Sequence, residues 1–242
     1  MRAIRRVAGG LVALAAMLAI GFALWAFARA RPQDLPWTPL DLSEPVGLFT
    51  GRKLTALGED FPKCRALLEQ AGVRYTALPR VEQGRCGYTD GVRLRDAGAL
   101  RLSFRPPGLS VSCPVAAALA MWKWNVLQPA ARTHLDSRVT GVIHFGSYSC
   151  RRMYGRSSGD FSEHATADAI DVAGFRLADG REVRVVADWT GDGAEAAFLR
   201  GVRDGACDLF ATVLSPDYNA AHRDHLHLDQ AARGASGWRA CR

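Results

Sequence analysis

An uninterrupted apolar stretch lies near the start of the chain, where Val7 to Ala28 runs for 22 residues without a charged side chain. A helix of that length spans the hydrocarbon core of a bilayer. Three arginines precede the stretch, and this bias favours an N-terminus on the cytoplasmic side. We therefore predict that residues 1–30 are an N-terminal membrane anchor and that the rest of the chain is exported. Small residues at Ala26, Ala28 and Ala30 also fit signal-peptide cleavage, so a cleaved leader stays open.

The pattern of apolar and polar residues changes after the predicted anchor. Residues 31–45 contain four of the chain's 11 prolines and few periodic apolar positions, which predicts an extended linker. Residues 46–112 predict a small N-terminal subregion, with a helix between Leu54 and Ala71 and short strands between Val81 and Leu102. We find no candidate catalytic or metal-binding residues in this part of the sequence.

Residues 113–242 carry the clearest elements and are expected to form the core of the exported domain. A helix begins at Cys113-Pro114 and continues to Leu127, with apolar residues around most of its circumference. A strand follows from Arg138 to Phe145. A short amphipathic helix is expected from Gly193 to Cys207, and another strand from Asp208 to Leu214.

A β-hairpin is predicted in the middle of this core. Ala167 to Leu177 has the pattern of a strand, Asp179-Gly180 suits a two-residue turn, and Arg181 to Ala187 returns as the partner. Asp171 then projects from the strand, and His164 lies on the loop that leads into it.

A second cluster of polar residues lies near the C-terminus, in the segment from His222 to Asp229. On a strand, His225, His227 and Asp229 point to one face, while Leu226 and Leu228 point to the other. These imidazoles, together with a histidine and an aspartate from the hairpin, can supply a nitrogen and oxygen zinc site with an open fourth position. A closed four-ligand shell with a purely structural role is the other kind of zinc site open to them.

Isolated histidines are more often surface or core residues than ligands. Here, however, four of the chain's six histidines fall in the two short segments. Of the nearby carboxylates, Asp168 is not expected to take part in the site, because it should face away from Asp171 on a regular strand. Glu163 remains a minor alternative base.

These segments resemble known families. Ser162-x-His164-x-x-Ala167-x-Ala169-x-Asp171 resembles the Ser-x-His-x-x-Gly-x-Ala-x-Asp signature of zinc D-Ala-D-Ala peptidases, with alanine at the glycine position. His225-x-His227 is similar to the paired histidines of the group that holds lysostaphin, these carboxypeptidases, hedgehog domains and penicillin-insensitive murein endopeptidases. Over a longer span, from about Phe61 to Arg242, the chain resembles the bacterial extensin-like C-terminal domain family.

The resemblance implies a hedgehog- or D-Ala-D-Ala-peptidase-like fold of the α+β class. We expect an antiparallel sheet with helices packed on one side, preceded by one transmembrane helix. It implies Zn²⁺ as the cofactor, with His164, Asp171 and His227 as ligands. It also implies the catalytic residues His225, His222 and Arg151, and the substrate-binding residues Ser147, Tyr148 and Arg151.

Peptide bonds of peptidoglycan are the implied substrate. The carboxypeptidase branch usually carries a Glu-x-x-His near its end, and no glutamate occupies that place here, so endopeptidase activity is favoured over carboxypeptidase activity. The alternative is a non-catalytic, metal-containing protein that binds the cell wall or supports the envelope.

The compartment and the partners follow from the anchor and the charge. We expect a single-pass protein of the inner membrane with its catalytic domain in the periplasm. The 31 basic and 24 acidic residues give a net charge of +7 that is spread along the chain. Nucleic acid is therefore a poor partner, whereas weak attraction to peptidoglycan carboxylates is expected. We expect a monomer.

The six cysteines all follow the anchor, and none has Cys-x-x-Cys spacing. In an exported domain they predict three disulfides. Six cysteines allow 15 pairings. We expect the pairs Cys64–Cys86, Cys150–Cys207 and Cys113–Cys241.

Overall fold

The computed structural model describes residues 2–234 and 237–242. Its α-helices are α1 (Arg2–Ala30), α2 (Thr50–Thr55), α3 (Phe61–Gln70), α4 (Cys113–Trp122), α5 (Gln128–Leu135), α6 (Val185–Asp188) and α7 (Ala194–Ala206). Its strands are β1 (Val73–Ala77), β2 (Val81–Gln83), β3 (Cys86–Tyr88), β4 (Gly91–Gly98), β5 (Ser103–Arg105), β6 (Ser110–Ser112), β7 (Val139–Gly146), β8 (Ala169–Leu177), β9 (Glu182–Arg184), β10 (Thr212–Leu214), β11 (Leu226–Asp229) and β12 (Ala240–Cys241).

Helix α1 contains the predicted anchor. Its segment Ile4–Ala30 contains an 18-residue stretch with a mean hydropathy of 2.4, and none of that stretch is buried against the rest of the chain. Within the described residues it is the one helix long and apolar enough to cross a membrane.

The segment 31–45, expected to be an extended linker, packs onto the domain instead. Leu40 and Leu42 are buried in the main core. The backbone N–H of Leu48 donates to Asp34 Oδ1 at 2.8 Å. The buried leucines, together with the hydrogen bonds of Asp34 and those from Lys53 to Pro32 and Thr38, hold this segment against the domain.

A seven-stranded sheet forms the centre of the domain. Its strands lie in the order β12-β10-β11-β8-β7-β5, and β9 pairs with β8. The inner pairs β10–β11, β11–β8, β7–β8 and β8–β9 are antiparallel, whereas β5 pairs with β7, and β12 with β10, in parallel. A three-stranded sheet (β1-β4-β6) and the β2–β3 hairpin complete a mixed α/β structure.

Helix α4 is the buried helix of the core, as its continuous apolar sequence predicts. All ten of its residues are buried. Trp122 packs against Phe175 and Phe210, with ring centroids 5.7 and 6.2 Å apart, and its indole N–H donates to the carbonyl of Val202 at 2.9 Å. Its aromatic ring is therefore part of the core and not a substrate platform.

The helix expected between Leu54 and Ala71 is two helices with a break between them. Asp60 caps the second helix by accepting the backbone N–H of Lys63 at 3.0 Å. Pro62 follows in the first turn, where it lacks only a donor that a helix start leaves unpaired. This local signal ends one helix and starts the next.

All six cysteines are paired, as predicted, but all three predicted partners are wrong. The disulfides are Cys64–Cys113, Cys86–Cys150 and Cys207–Cys241, with Cα atoms 6.1, 5.5 and 5.7 Å apart. The pairing follows tertiary packing. Helix α3 packs against α4, the β2–β3 hairpin lies over the loop after β7, and β12 lies beside β10 after α7.

Candidate metal centre

The register of β8 and β11 brings two of the predicted ligands together. The strands are antiparallel, and His227 lies directly opposite Asp171. Leu226 and Leu228 are fully buried on the other face. A shift by one residue would move the leucines out of the core, so hydrophobic burial fixes the register that pairs His227 with Asp171.

His164 enters from the turn that precedes β8. Ser162 caps this 3-10 turn by accepting the backbone N–H of His164 at 3.4 Å. Ala167 ends the turn with φ of +58°, in the left-handed region that favours glycine. A glycine would adopt this conformation without strain.

The three predicted ligand atoms form a nearly equilateral triangle. His164 Nε2 lies 3.1 Å from Asp171 Oδ1 and 3.2 Å from His227 Nδ1, and His227 Nδ1 lies 3.0 Å from Asp171 Oδ1. Tetrahedral zinc with bonds of about 2.0–2.1 Å separates its ligand atoms by about 3.3–3.4 Å. The triangle is close to this size and slightly smaller, so a small outward shift of the three ligand atoms would fit a four-coordinate metal ion.

The outer hydrogen bonds fix which ring nitrogens face inward. His164 donates its Nδ1–H to the carbonyl of Ser147 at 2.6 Å, and His227 donates its Nε2–H to Asp229 Oδ2 at 3.1 Å. The lone pairs of His164 Nε2 and His227 Nδ1 consequently converge on the Asp171 carboxylate. When both rings are neutral, three acceptors face one point and repel each other unless a metal ion or a proton lies between them, so the donor set fits a metal ion.

In the absence of a metal ion, a proton on His227 lies between the ring and the Asp171 carboxylate. Burial alone would lower the pKa of His227, but hydrogen bonds to the Asp171 and Asp229 carboxylates raise it to about 9. Burial opposes ionisation of Asp171, yet the hydrogen bonds from His164 and His227 hold its pKa far below the usual range. Asp171 is thus an ionised carboxylate that positively charged neighbours stabilise.

A cleft of about 150 Å³ opens beside this triangle and is lined by the other two histidines. His225 donates its Nδ1–H to Asp224 Oδ1 at 2.8 Å, and its Nε2 lies 3.4 Å from Asp171 Oδ1. His222 donates its Nδ1–H to Asn219 Oδ1 at 2.8 Å. Burial and the charges of His225 and His227 lower the pKa of His222 to about 4. His222 is therefore neutral near pH 7.

Arg151 lies at the edge of the same cleft. Its guanidinium is 3.9 Å from Asp171 Oδ2, and 45% of its side-chain surface is exposed. The structure thus brings together His164, Asp171, His227, His225, His222 and Arg151, six residues predicted from the sequence.

Two predicted substrate-binding side chains do not line the cleft. The Ser147 hydroxyl is buried and donates to the carbonyl of Ala167 at 3.3 Å. Tyr148 packs edge-on against Tyr88, and its hydroxyl contacts Gln83. A substrate-binding role for Ser147 and Tyr148 stays a prediction, whereas the Ser147 carbonyl is now seen to orient His164.

The neighbouring carboxylates lie outside the cleft. Asp168 faces away from Asp171, as the alternation predicts, and accepts a hydrogen bond from Ser112 Oγ at 2.6 Å. Glu163 is half-buried, and burial together with the Asp229 charge raises its pKa. His225 is therefore the better placed candidate base.

The sequence reasoning missed the residues that orient the histidines. Asp229 was placed on the face of His227, but its hydrogen bond to that ring was not foreseen. Asp224 and Asn219 hold His225 and His222 in the same way. An acidic or amide residue lies one to three positions from each of these three histidines in the sequence. This spacing could have indicated the partners of the rings.

Comparison with known proteins gives one result. The family model described as "Extensin-like protein C-terminus" matches residues 62–242. Because the match covers most of the sequence, the chain belongs to this family. No curated protein and no solved structure matches the chain significantly.

Proposed function

We propose that this member of the extensin-like family is a zinc-dependent hydrolase that cleaves peptide bonds in peptidoglycan stem peptides or cross-links. Endopeptidase activity is favoured over carboxypeptidase activity. The relationship to zinc D-Ala-D-Ala peptidases and to the hedgehog-like fold is part of the proposal and rests on the Ser162–Asp171 and His225–His227 segments.

The observation that carries the proposal is the triangle of His164, Asp171 and His227 beside an open cleft. Three protein ligands with an accessible fourth position are typical of catalytic zinc, whereas structural sites are closed by four protein ligands. The outer partners, the Ser147 carbonyl and the Asp229 carboxylate, are of the kind that orients metal-binding imidazoles.

When bound, zinc supplies Lewis-acid chemistry that polarises a carbonyl and lowers the pKa of water to about 7. His225 has the geometry of a general base, because Asp224 holds its Nδ1–H and leaves Nε2 as the acceptor. Nε2 takes the proton that a water nucleophile loses as it attacks the carbonyl carbon. The same nitrogen returns the proton to the leaving amine as the C–N bond breaks.

The other two cleft residues bind and orient. His222 is neutral and can accept a hydrogen bond from a substrate N–H through Nε2, since its Nδ1–H is bound to Asn219. Arg151 remains positively charged and half exposed, so it suits a substrate carbonyl or carboxylate.

The location is the second part of the proposal. A single spanning helix with arginines before it would leave the domain on the periplasmic side of the inner membrane. Three disulfides agree with an oxidising compartment. Peptidoglycan is the peptide-bearing polymer of that compartment.

Mass analysis of products from defined muropeptides, incubated with the purified full chain and zinc, tests the activity. His225→Ala should keep zinc but lose about 10²- to 10⁴-fold of the turnover. His164→Ala and His227→Ala should lose both zinc and turnover. If His225→Ala also loses zinc, His225 is a ligand. The alternative of a non-catalytic envelope protein, with zinc closed by four protein ligands, is then favoured. If the wild type holds zinc but cleaves no muropeptide, the hydrolase proposal fails.

A further inference from the structure

Two large apolar side chains are exposed next to helix α1. Among the described residues that follow α1, the most exposed large hydrophobic side chains are Leu48 at 82% and Trp37 at 76%, ahead of Val186 at 67%. Both lie in the chain that joins α1 to α2. Single exposed apolar residues are common on protein surfaces, so their shared location is the informative observation. No step of the proposed hydrolysis uses either residue.

The segment that carries Leu48 packs against the end of α1. The backbone N–H of Leu48 donates to Asp34 Oδ1 at 2.8 Å. Residues 44–47 and 30–34 line the same small cleft. Their backbones approach closely, because a Cβ added at Gly47 would lie 2.8 Å from the backbone nitrogen of Asp34. Leu48 is therefore held beside the residues at which α1 ends.

Trp37 lies on a turn that is fixed to the same place. The Thr38 hydroxyl is within hydrogen-bond distance of the carbonyls of Pro32 and Leu35. Lys53 of α2 donates from Nζ to the Pro32 carbonyl at 3.4 Å and to Thr38 Oγ1 at 2.9 Å. Pro32 lies two positions after the last residue of α1. Trp37 is thus presented by an ordered turn that connects the end of α1 to the domain.

The length of α1 indicates where the surface of a membrane around it would lie. The uncharged run from Val7 to Ala28 has 22 residues, and at about 1.5 Å per residue it covers about 33 Å, close to the ~30 Å of a hydrocarbon core. The headgroup layer then begins near the last turn of α1. There Arg29 places its guanidinium over the ring of Trp25, 4.7 Å from the centroid, and both residue types suit a membrane interface.

The charges of the joining segment do not make it a cationic surface. Arg31 Nε pairs with Asp34 Oδ2 at 2.9 Å. Asp41 and Glu44 are further acidic residues in the same stretch. Any affinity of this surface for a membrane must therefore come from its apolar side chains and not from attraction to anionic headgroups.

We propose that Trp37 and Leu48 insert into the interface of the bilayer that contains α1 and dock the domain on its surface. The proposal rests on the location part of the proposed function. Tryptophan prefers the membrane interface, where its ring is apolar and its N–H stays solvated, and an exposed leucine gains free energy on leaving water. Two side chains bind a membrane weakly by themselves, but α1 holds them at its surface, so their insertion is an intramolecular step.

Fluorescence quenching by lipid measures the insertion of Trp37. The full chain, with residues 1–30 verified by intact mass, is placed in nanodiscs of phosphatidylcholine or of phosphatidylcholine brominated on acyl carbons near the headgroup. Bromine quenches the emission of a tryptophan only at short range. Trp37→Phe should lower the emission that brominated lipid quenches, leaving mainly the part from Trp25 of α1. Phenylalanine keeps an aromatic ring at the contact, so this variant still docks.

Photo-crosslinking measures the docking of the whole segment. A phosphatidylcholine with a photoreactive group near its headgroup is added to the nanodiscs, and cross-linked peptides are identified by mass spectrometry. The wild type should carry cross-links within residues 32–49. Trp37→Ser/Leu48→Ser should lose most of the cross-links at the unsubstituted positions of this segment, since both apolar contacts are removed. Replacing part of the lipid by phosphatidylglycerol should change the wild-type yield little.

Val186→Ser is the matched control. Val186 is also exposed, but it lies on α6, which packs against α7 and β9. This variant should be cross-linked within residues 32–49 as the wild type is. All three variants change exposed side chains, so their melting temperatures, zinc contents and turnover of soluble muropeptides should match those of the wild type.

The proposal is overturned if Trp37→Phe leaves the quenched emission unchanged, if the double variant is cross-linked like Val186→Ser, or if the cross-links require phosphatidylglycerol. Recovery of the chain from cells without residues 1–30 would overturn it together with the proposed location. None of these results bears on the hydrolase proposal. A protein that docks but cleaves no muropeptide contradicts only the hydrolase, and one that cleaves but does not dock contradicts only the docking.

Discussion

At the residue scale, each histidine of the candidate metal centre has one ring nitrogen held by an outer polar group. Asp229 and the Ser147 carbonyl hold the two ligand imidazoles, whereas Asp224 and Asn219 hold the two imidazoles of the cleft. Under the proposed function, His164 and His227, whose free nitrogens lie in the triangle with Asp171, bind the metal, whereas His225 and His222, which line the cleft, act on substrate. Substitution of the outer groups should separate these two roles.

Asp229→Asn should lower zinc affinity by about 10- to 100-fold, because a carboxylate that accepts the imidazole N–H raises the basicity of the ligand. Competition with a chromogenic chelator measures this affinity. Asp224→Asn is the matched control. It should leave zinc affinity unchanged and lower muropeptide turnover by at least about tenfold, since His225 loses its orienting carboxylate. Equal zinc affinities for the two variants would contradict the division of roles.

Asp168→Asn should stabilise the protein near neutral pH. Burial raises the pKa of Asp168 in the folded state. Its contribution to stability is therefore complete below the unfolded pKa of about 3.9 and falls by about 1.4 kcal/mol per pH unit above it, until the folded carboxyl ionises. Asparagine avoids this loss and can still accept the hydrogen bond from Ser112.

Urea denaturation of both proteins over a series of pH values measures the effect. The advantage of Asp168→Asn in free energy of unfolding should be small near pH ~4 and increase toward pH ~7. A constant difference across this range would show that Asp168 is ionised in the folded protein.

At the scale of elements, the metal centre depends on contacts between segments far apart in sequence. The Cys86–Cys150 disulfide connects the β2–β3 hairpin to the loop after β7, which supplies the Ser147 carbonyl and Arg151. The hairpin contributes none of the three candidate ligands, and we expect that its contacts hold that loop in place.

The double variant Cys86→Ser/Cys150→Ser should lose about 3–4 kcal/mol of stability and also bind zinc more weakly. The Cys207→Ser/Cys241→Ser variant is the control. It should lose a comparable amount of stability. Its disulfide closes a loop of 34 residues instead of 64, and the loop-closure entropy of the unfolded chain depends only weakly on loop length. It should, however, keep wild-type zinc affinity. Equal zinc affinities at a temperature where both variants are folded would refute the role of the hairpin.

The elements also show what sequence patterns can and cannot predict. Strand alternation is a local property, so the placement of His225 and His227 on one side and the inward position of Asp171 could be predicted. Disulfide partners depend on which helices and loops pack together, and this information is absent from cysteine spacing. The expected Cys113–Cys241 pair was wrong because α3 places Cys64 beside Cys113.

At the scale of the whole molecule, the packing of residues 31–45 joins helix α1 directly to the folded domain. A proline-rich composition predicts an extended linker, and two leucines in the core reverse that expectation. The domain then has little chain with which to move away from the end of α1. Its reach would be limited to substrate close to the surface from which α1 emerges.

A pair of leucine substitutions tests whether this segment is folded. Leu42 is 1% exposed and Leu48 is 82% exposed, and both lie between the anchor and α2. Leu42→Ala should destabilise the domain by about 2–5 kcal/mol, because it removes buried methyl groups and leaves a cavity. Leu48→Ala should change stability by less than about 0.5 kcal/mol. Chemical denaturation of the full chain in detergent measures both. Were residues 31–45 a free linker, the two substitutions would have the same small effect, and the reach of the domain would be set by the linker length instead.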